Sequence, residues 1–142
     1  MQLDNKDLTI ISLLKDNARL SVRDVAKKAG IRPSTVHQRI TQLKKKGIIE
    51  KYTLKLNNKE VGENFIVFLL IKTKPSSQLD RKIIDNQHVK EIFGITGEYD
   101  LLLKLKFKDI EEFNDFILRF RKEQSVVTTL TTVVTATVKE EL

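Results

Sequence analysis

Apolar residues recur at helical spacing through the first third of the chain and at strand spacing through much of the rest. Leu8, Ile11 and Leu14 are three apart, which predicts a short helix with one apolar stripe. Asp4 with Asp7 three residues on has the form of a capping box, in which each residue's side chain binds the other's backbone amide. Ser21 and Asp24 repeat that signature ahead of Val25, Ala26 and Ala29, and Gly30 ends the second helix. A third helix starts at Pro33, whose missing N–H would have no partner in a first turn anyway. Val36, Ile40 and Leu43 face inward along it, and Gly47 stops it. IIEKYTLKLN, residues 48–57, alternates as a strand does, and NNKEVGEN is a polar, glycine-containing linker. The expected division is a first domain over 1–60 and a second over 61–142.

The second segment alternates strand and helix. FIVFLLIKT (65–73) reads as a strand, and SQLDRKIIDN (77–86) as a short helix with Leu79 and Ile83 on one face. VKEIFGIT (89–96) and DLLLKLKF (100–107) are two more strands, joined by a tight turn containing Gly97. Asp109 caps a helix carrying Ile110, Phe113, Ile117 and Phe120, and VVTTLTTVVTATV (126–138) is a β-branched strand. The order βαββαβ is that of a ferredoxin-like sandwich, so the fold class is α+β: a helix-turn-helix domain followed by a βαββαβ domain.

Two helices cover only one face of a four-stranded sheet. Yet the 65–73 strand is apolar on both faces, with Phe65, Val67, Leu69 and Ile71 on one and Ile66, Phe68 and Leu70 on the other. Leaving the second face wet forfeits roughly 1.5–3 kcal/mol per large side chain, so the expected cover is a second copy of the chain in a homodimer. Lys104 and Lys106 point toward that same face and call for acidic partners or an interface that is partly wet.

Charge divides the chain in the same place. Residues 1–60 hold 14 Lys or Arg against 6 Asp or Glu, a net of +8, while 61–142 hold 12 against 13, a net of −1. An acidic partner, nucleic acid or an anionic surface, is expected for the first segment alone. Cysteine is absent, which removes disulfides and thiolate metal sites and fits a cytoplasmic location. No apolar run reaches the ~18–20 residues that span a membrane, and MQLDNKDLTI does not read as a signal peptide.

A helix, a glycine turn and a second helix have the spacing of a helix-turn-helix, whose second helix enters the major groove of double-stranded DNA. With Val36, Ile40 and Leu43 inward, the outer side of that helix carries Ser34, Gln38, Thr41 and Lys45, flanked by Thr35, His37 and Gln42. Gln bonds adenine through two contacts and hydroxyls are versatile, so Ser34, Thr35, Gln38 and Thr41 are the candidate base readers. Arg19, Arg23, Arg32, Arg39, Lys44, Lys45 and Lys46 are the candidate phosphate contacts, giving affinity without sequence information. The plainer reading of Lys44–Lys46 is a solvated last turn favoured by the helix dipole.

LDNKDLTIISLLKDNARLSVRDVAKKAGI, then STVHQRITQLKKKGIIEKY, and later GITGEYDLLLK closely resemble the Lrp/AsnC, or feast/famine, family of transcription regulators, in order and over nearly the whole chain. The resemblance implies a homodimer, assembled further into tetramers or octamers in some members, that represses or activates promoters and answers to a small-molecule effector, often an amino acid. Arg32 departs from the family's usual cap at the start of the reading helix, which leaves Ser34 as the alternative cap. Gly97, Glu98, Tyr99 and Asp100 match the family's turn bordering the effector pocket. There Gly97 permits a positive φ, Asp100 or Glu98 could pair with an α-ammonium, and Tyr99 offers an apolar wall with a hydroxyl. Thr131 and Thr132 could line the same region. The plainer alternative is an ordinary glycine hairpin.

Other classes fit less well. The two histidines, His37 and His88, are far apart, and no phosphate loop or metal-ligand cluster is visible, so no catalytic residue, cofactor or metal is expected. An RNA-binding sheet would need exposed aromatics on its middle strands, where only Phe68 is available.

Overall fold

The computed structural model describes residues 2–142, which divide into two compact units, the first running to Leu54 and the second from Lys55 to Leu142. No helix among the described residues is long and apolar enough to cross a membrane.

The first unit is three helices, α1 (Asn5–Asp16), α2 (Val22–Ala29) and α3 (Pro33–Lys45). Both capping boxes form. The Asp7 amide donates to Asp4 Oδ1 at 2.9 Å and the Asp4 amide to Asp7 Oδ2 at 3.1 Å. At α2 the Asp24 amide donates to Ser21 Oγ at 3.0 Å and the Ser21 amide returns to Asp24 Oδ2 at 3.2 Å. Gly30 closes α2 in the left-handed region at φ 68°, where a Cβ would be strained, and the chain reverses into α3. Ile10, Leu14, Val25, Ala26 and Val36 form the core of this unit, with Ile40 partly buried against it and Leu43 fully buried.

Two expectations here are corrected. The buried face of α1 is Asp7, Ile10 and Leu14, and Leu8 is 51% exposed. Asp7 turns inward to meet Arg39, and residues three and seven further on share its side of the helix. Residues 48–57 are not a strand. Residues 48 and 49 bend and 50–57 have no regular structure, with Tyr52, Leu54 and Leu56 exposed, because alternation alone does not supply the partner that a backbone ladder needs.

The second unit is the four-stranded antiparallel sheet β1 (Phe65–Thr73), β2 (Val89–Gly94), β3 (Leu101–Phe107) and β4 (Val126–Val133), in the spatial order β2-β3-β1-β4. Helices α4 (Arg81–Ile84) and α5 (Ile110–Phe120) complete the ferredoxin-like topology. Val67, Leu69, Ile71, Leu103, Leu105 and Phe107 pack against Phe113, Phe116, Ile117 and Phe120 of α5. Asp109 caps α5 by accepting from the Glu112 amide at 2.9 Å, while Ile110, expected on the inner stripe, is exposed.

α4 is a single turn, shorter than the expected 77–86, because Asp80 caps it by accepting from the Lys82 amide and Ser76 upstream has φ 60°. Leu79 and Ile83 still reach the core. β4 stops at Val133, well before residue 138, because its partner β1 starts at Phe65. The last ladder bond runs from the Val134 amide to the Ile66 carbonyl, at 2.9 Å.

On the sheet face away from the helices, Ile66, Phe68 and Leu70 stand opposite Lys106, Lys104 and Leu102. The acid the lysines call for is Glu140, in the tail beyond β4, which lies 2.5 Å from Lys104 Nζ and 3.1 Å from Lys106 Nζ. Lys104, then the Asn58 amide, then Lys106 hold the Glu140 carboxyl at about 2, below its ordinary 4.5. Any stability it lends is complete above that ordinary value and is lost as pH falls through about 2.

Candidate nucleic-acid interface and effector turn

Burying Val36 and Leu43 fixes which side of α3 meets solvent. Ser34, Gln38, Thr41 and Lys45 lie along that side, all exposed, with His37 and Gln42 beside them and Thr35 half-buried. Thr41 Oγ1 donates to the His37 carbonyl at 2.8 Å, so its oxygen lone pairs and its methyl are what it presents outward. No side chain caps α3 at Arg32, and Ser34 does not take over that role. With Pro33 at the first position and no acid in the first turn, the amides there keep their attraction for an anion.

The candidate phosphate contacts separate into two groups. Arg19, Arg23, Arg32, Lys44, Lys45 and Lys46 are exposed and form no ion pair among the described residues. Lys44 also sits over the Tyr52 ring, 5.7 Å from its centroid. Arg39 differs: its Nη1 lies 2.5 Å from Asp4 Oδ2 and 3.3 Å from Asp7 Oδ1. Those carboxylates raise its pKa further, and the Asp7 amide together with Arg39 holds Asp4 at about 2. Arg39 therefore braces α3 against the start of α1, a structural tie to the buried Asp7 that the other candidate phosphate contacts do not make.

In the second unit the 95–100 turn is closed by the Ile95 amide donating to the Asp100 carbonyl at 2.8 Å. Gly97, at φ 110°, allows the reversal. Gly97, Glu98 and Asp100 are exposed and Tyr99 is half-buried. Asp100 is not wholly free. Its Oδ2 accepts from the Thr73 amide at 2.8 Å and from Thr73 Oγ1 at 3.0 Å, which lowers its pKa and staples the turn to the end of β1. Oδ1 remains for a cationic partner. Thr73 belongs to this arrangement, although nothing in its sequence position distinguishes it from any strand threonine. Thr131 and Thr132 pair with Leu69 and Phe68 and so stand on opposite sheet faces, where they cannot line one site together. A separate cavity of about 440 Å³, lined by His88, Glu112, Arg119 and others between α4 and α5, includes none of the turn residues.

The chain is similar to known proteins over its whole length. Residues 3–50 match the winged helix-turn-helix DNA-binding model, and residues 66–142 match the Lrp/AsnC ligand binding domain. An HTH-type transcriptional regulator of Pyrococcus horikoshii is 38% identical over 146 residues, covering 99% of this chain and 97% of that one. The structure of B. subtilis LrpC superposes with a TM-score of 0.88 at 28% identity, covering 99% of this chain and 100% of that chain. A transcriptional regulator of Neisseria meningitidis, crystallised as its L-Met complex, shares the fold with a TM-score of 0.90 at 24% identity, over 99% of this chain and 94% of its own. The DNA-binding helices and the ligand-binding domain thus occur in one polypeptide, and the chain belongs to the Lrp/AsnC family of transcription regulators.

Proposed function

We propose that this regulator reads a specific duplex sequence with α3, works as a homodimer or larger assembly in the cytoplasm, and is modulated by an amino-acid effector held at the 97–100 turn. It carries out no catalysis of its own. Residues 1–60 serve as the DNA-binding part and residues 61–142 as the oligomerisation and effector part. The observation that carries the reading is the exposed row Ser34, Gln38 and Thr41 on a helix whose first turn has no side-chain cap, flanked by cations that form no ion pair among the described residues. An ordinary solvent face has no need of short hydroxyls and an amide there. A row of groups that donate and accept suits base edges.

Replacing Gln38 by Ala should cost about 1–3 kcal/mol at the cognate site and relax base preference at one position. Random-sequence DNA should be bound almost as before. Footprinting upstream of this protein's own gene, followed by competition with random DNA, measures both. Equal losses on the two would remove Gln38 from the reading face.

Salt separates the cations. Lys45→Ala should reduce the slope of log affinity against log salt by about 0.9, the value for one phosphate contact. Arg39→Ala should leave that slope unchanged while lowering the melting temperature of the first unit, because Asp7 stays buried without its cation. Anisotropy titrations in rising KCl, with thermal melts of the same samples, distinguish the two roles.

For the effector, Asp100 Oδ1 and the exposed Glu98 carboxylate offer partners to an α-ammonium, and the turn's backbone and Tyr99 offer partners to the remainder of an amino acid. In one chain this turn lies open at the surface, and a neighbouring copy would supply the missing wall. Calorimetric titration with each common amino acid tests it, and binding that survives Gly97→Val with Glu98→Gln would place the effector elsewhere.

A further inference from the structure

The sheet face away from α4 and α5 carries two ammonium groups in an apolar surrounding. Lys104 and Lys106 stand opposite Phe68 and Ile66, and their side chains are 14% and 12% exposed. Covering unpaired ammoniums in such a place is strongly unfavourable. One carboxylate meets both. Glu140 Oε2 lies 2.5 Å from Lys104 Nζ, and Oε1 accepts from Lys106 Nζ at 3.1 Å and from Asn58 Nδ2 at 3.0 Å. Asn58 Oδ1 accepts in turn from Lys106 Nζ at 2.8 Å. Glu91, opposite Lys104 on β2, makes no ion pair with it among the described residues.

Segments far apart in sequence thus converge on one charge centre. Apolar burial does not hold the tail there, since Val138 is 98% and Leu142 77% exposed. The same sheet face continues into Phe93 and Leu130, opposite Leu102 and Leu70, which remain 52% and 47% exposed. Apolar surface of this kind, with its two embedded ammoniums already sharing a carboxylate from within the chain, suits an identical face.

We infer that Glu140 is a latch: by folding the tail back onto Lys104 and Lys106 it halves the net positive charge of this cluster, gives both ammoniums a carboxylate, and makes the face competent to be covered by a second copy of the chain. The inference rests on the homodimer proposed above. With the latch open, each face would present two unmatched ammoniums, and two apposed faces would bring four together, a juxtaposition that opposes association.

The test is sedimentation equilibrium on the full-length protein. Glu140→Gln keeps the shape and removes the charge, and it should weaken the dimer by at least about tenfold. Adding Lys104→Met and Lys106→Met to that variant removes the unmatched cations and should restore association. In Glu140→Ala, acetate should strengthen the dimer more than chloride at equal ionic strength. If Glu140→Gln folds, by circular dichroism, and associates as tightly as the parent, the latch is overturned while the homodimer stands. If Glu140→Gln fails to fold, the triple variant decides: a folded dimer supports the charge argument, and a folded monomer overturns it. A parent protein that is monomeric at every concentration would remove the homodimer reading, and the latch with it.

Discussion

A fragment ending at residue 60 will bind its cognate duplex about 10²–10⁴-fold more weakly than the full chain, while its affinity for random DNA changes far less. The fragment keeps its own core of Ile10, Leu14, Val25 and Val36, so it retains α3 and its surface. What it loses is the partner that holds a second α3 close by and makes the second contact intramolecular. Operators should therefore be roughly palindromic, with half-site centres separated by whole helical turns. Anisotropy titrations of fragment and full chain on the same footprinted site give the ratio directly. A fragment that binds as a monomer with undiminished affinity would mean that coupling of two reading helices is not how the protein achieves affinity.

Phe107→Ala will destabilise the second unit by about 3–5 kcal/mol, the cost of emptying a large aromatic site from a packed core. Phe107 is fully buried at the end of β3. Its ring stacks on His88 at a centroid distance of 4.7 Å and meets Phe113 and Phe116 at 5.4 Å each. Removing it leaves three rings without their common neighbour, and His88 loses the surface that sets its plane. Urea denaturation followed by near-ultraviolet dichroism measures the loss, which should fall on the transition of residues 55–142. A cost under 1 kcal/mol would mean that this core collapses readily around the gap.

The boundaries that were legible in the sequence are those written by local chemistry. Ser21 with Asp24 and then Gly30 mark α2 at both ends, because a cap and a left-handed closing residue act within a few positions of the chain. β1 runs over Phe65–Thr73 as its apolar run predicts, since it is central in the sheet and apolar on both faces. Elements whose limits depend on a distant partner were read less well. β4 ends where β1 gives out, and 48–57 forms no strand, and neither fact resides in the segment itself. On α1 Leu14 is buried as its spacing predicts, while Asp7 and Ile10 replace Leu8 and Ile11 on the inward side, where Asp7 meets Arg39, 32 positions away.

The candidate site divides in the same way. The exposed row on α3 follows once Val36 and Leu43 are assigned inward, so its membership could be read from spacing. Arg39 could not be sorted from its neighbours, because an arginine on a helix looks the same whether it will meet a phosphate or a carboxylate. Thr73 with Asp100, and Asn58 with Glu140, are long-range polar pairs that no periodicity announces.

The unpaired stretch after α3 has a practical consequence. Tyr52, Leu54 and Leu56 alternate in sequence with Lys51, Thr53 and Lys55, and among the described residues the backbone groups of 51–56 make no hydrogen bond. Unpaired backbone of this kind is a template for strand addition, and charged residues such as Lys51 and Lys55 are what natural chains use to keep such templates from stacking without limit. Acetylation of Lys51 and Lys55, which removes both charges, should therefore promote fibre formation, whereas the unmodified protein should stay dispersed at high concentration.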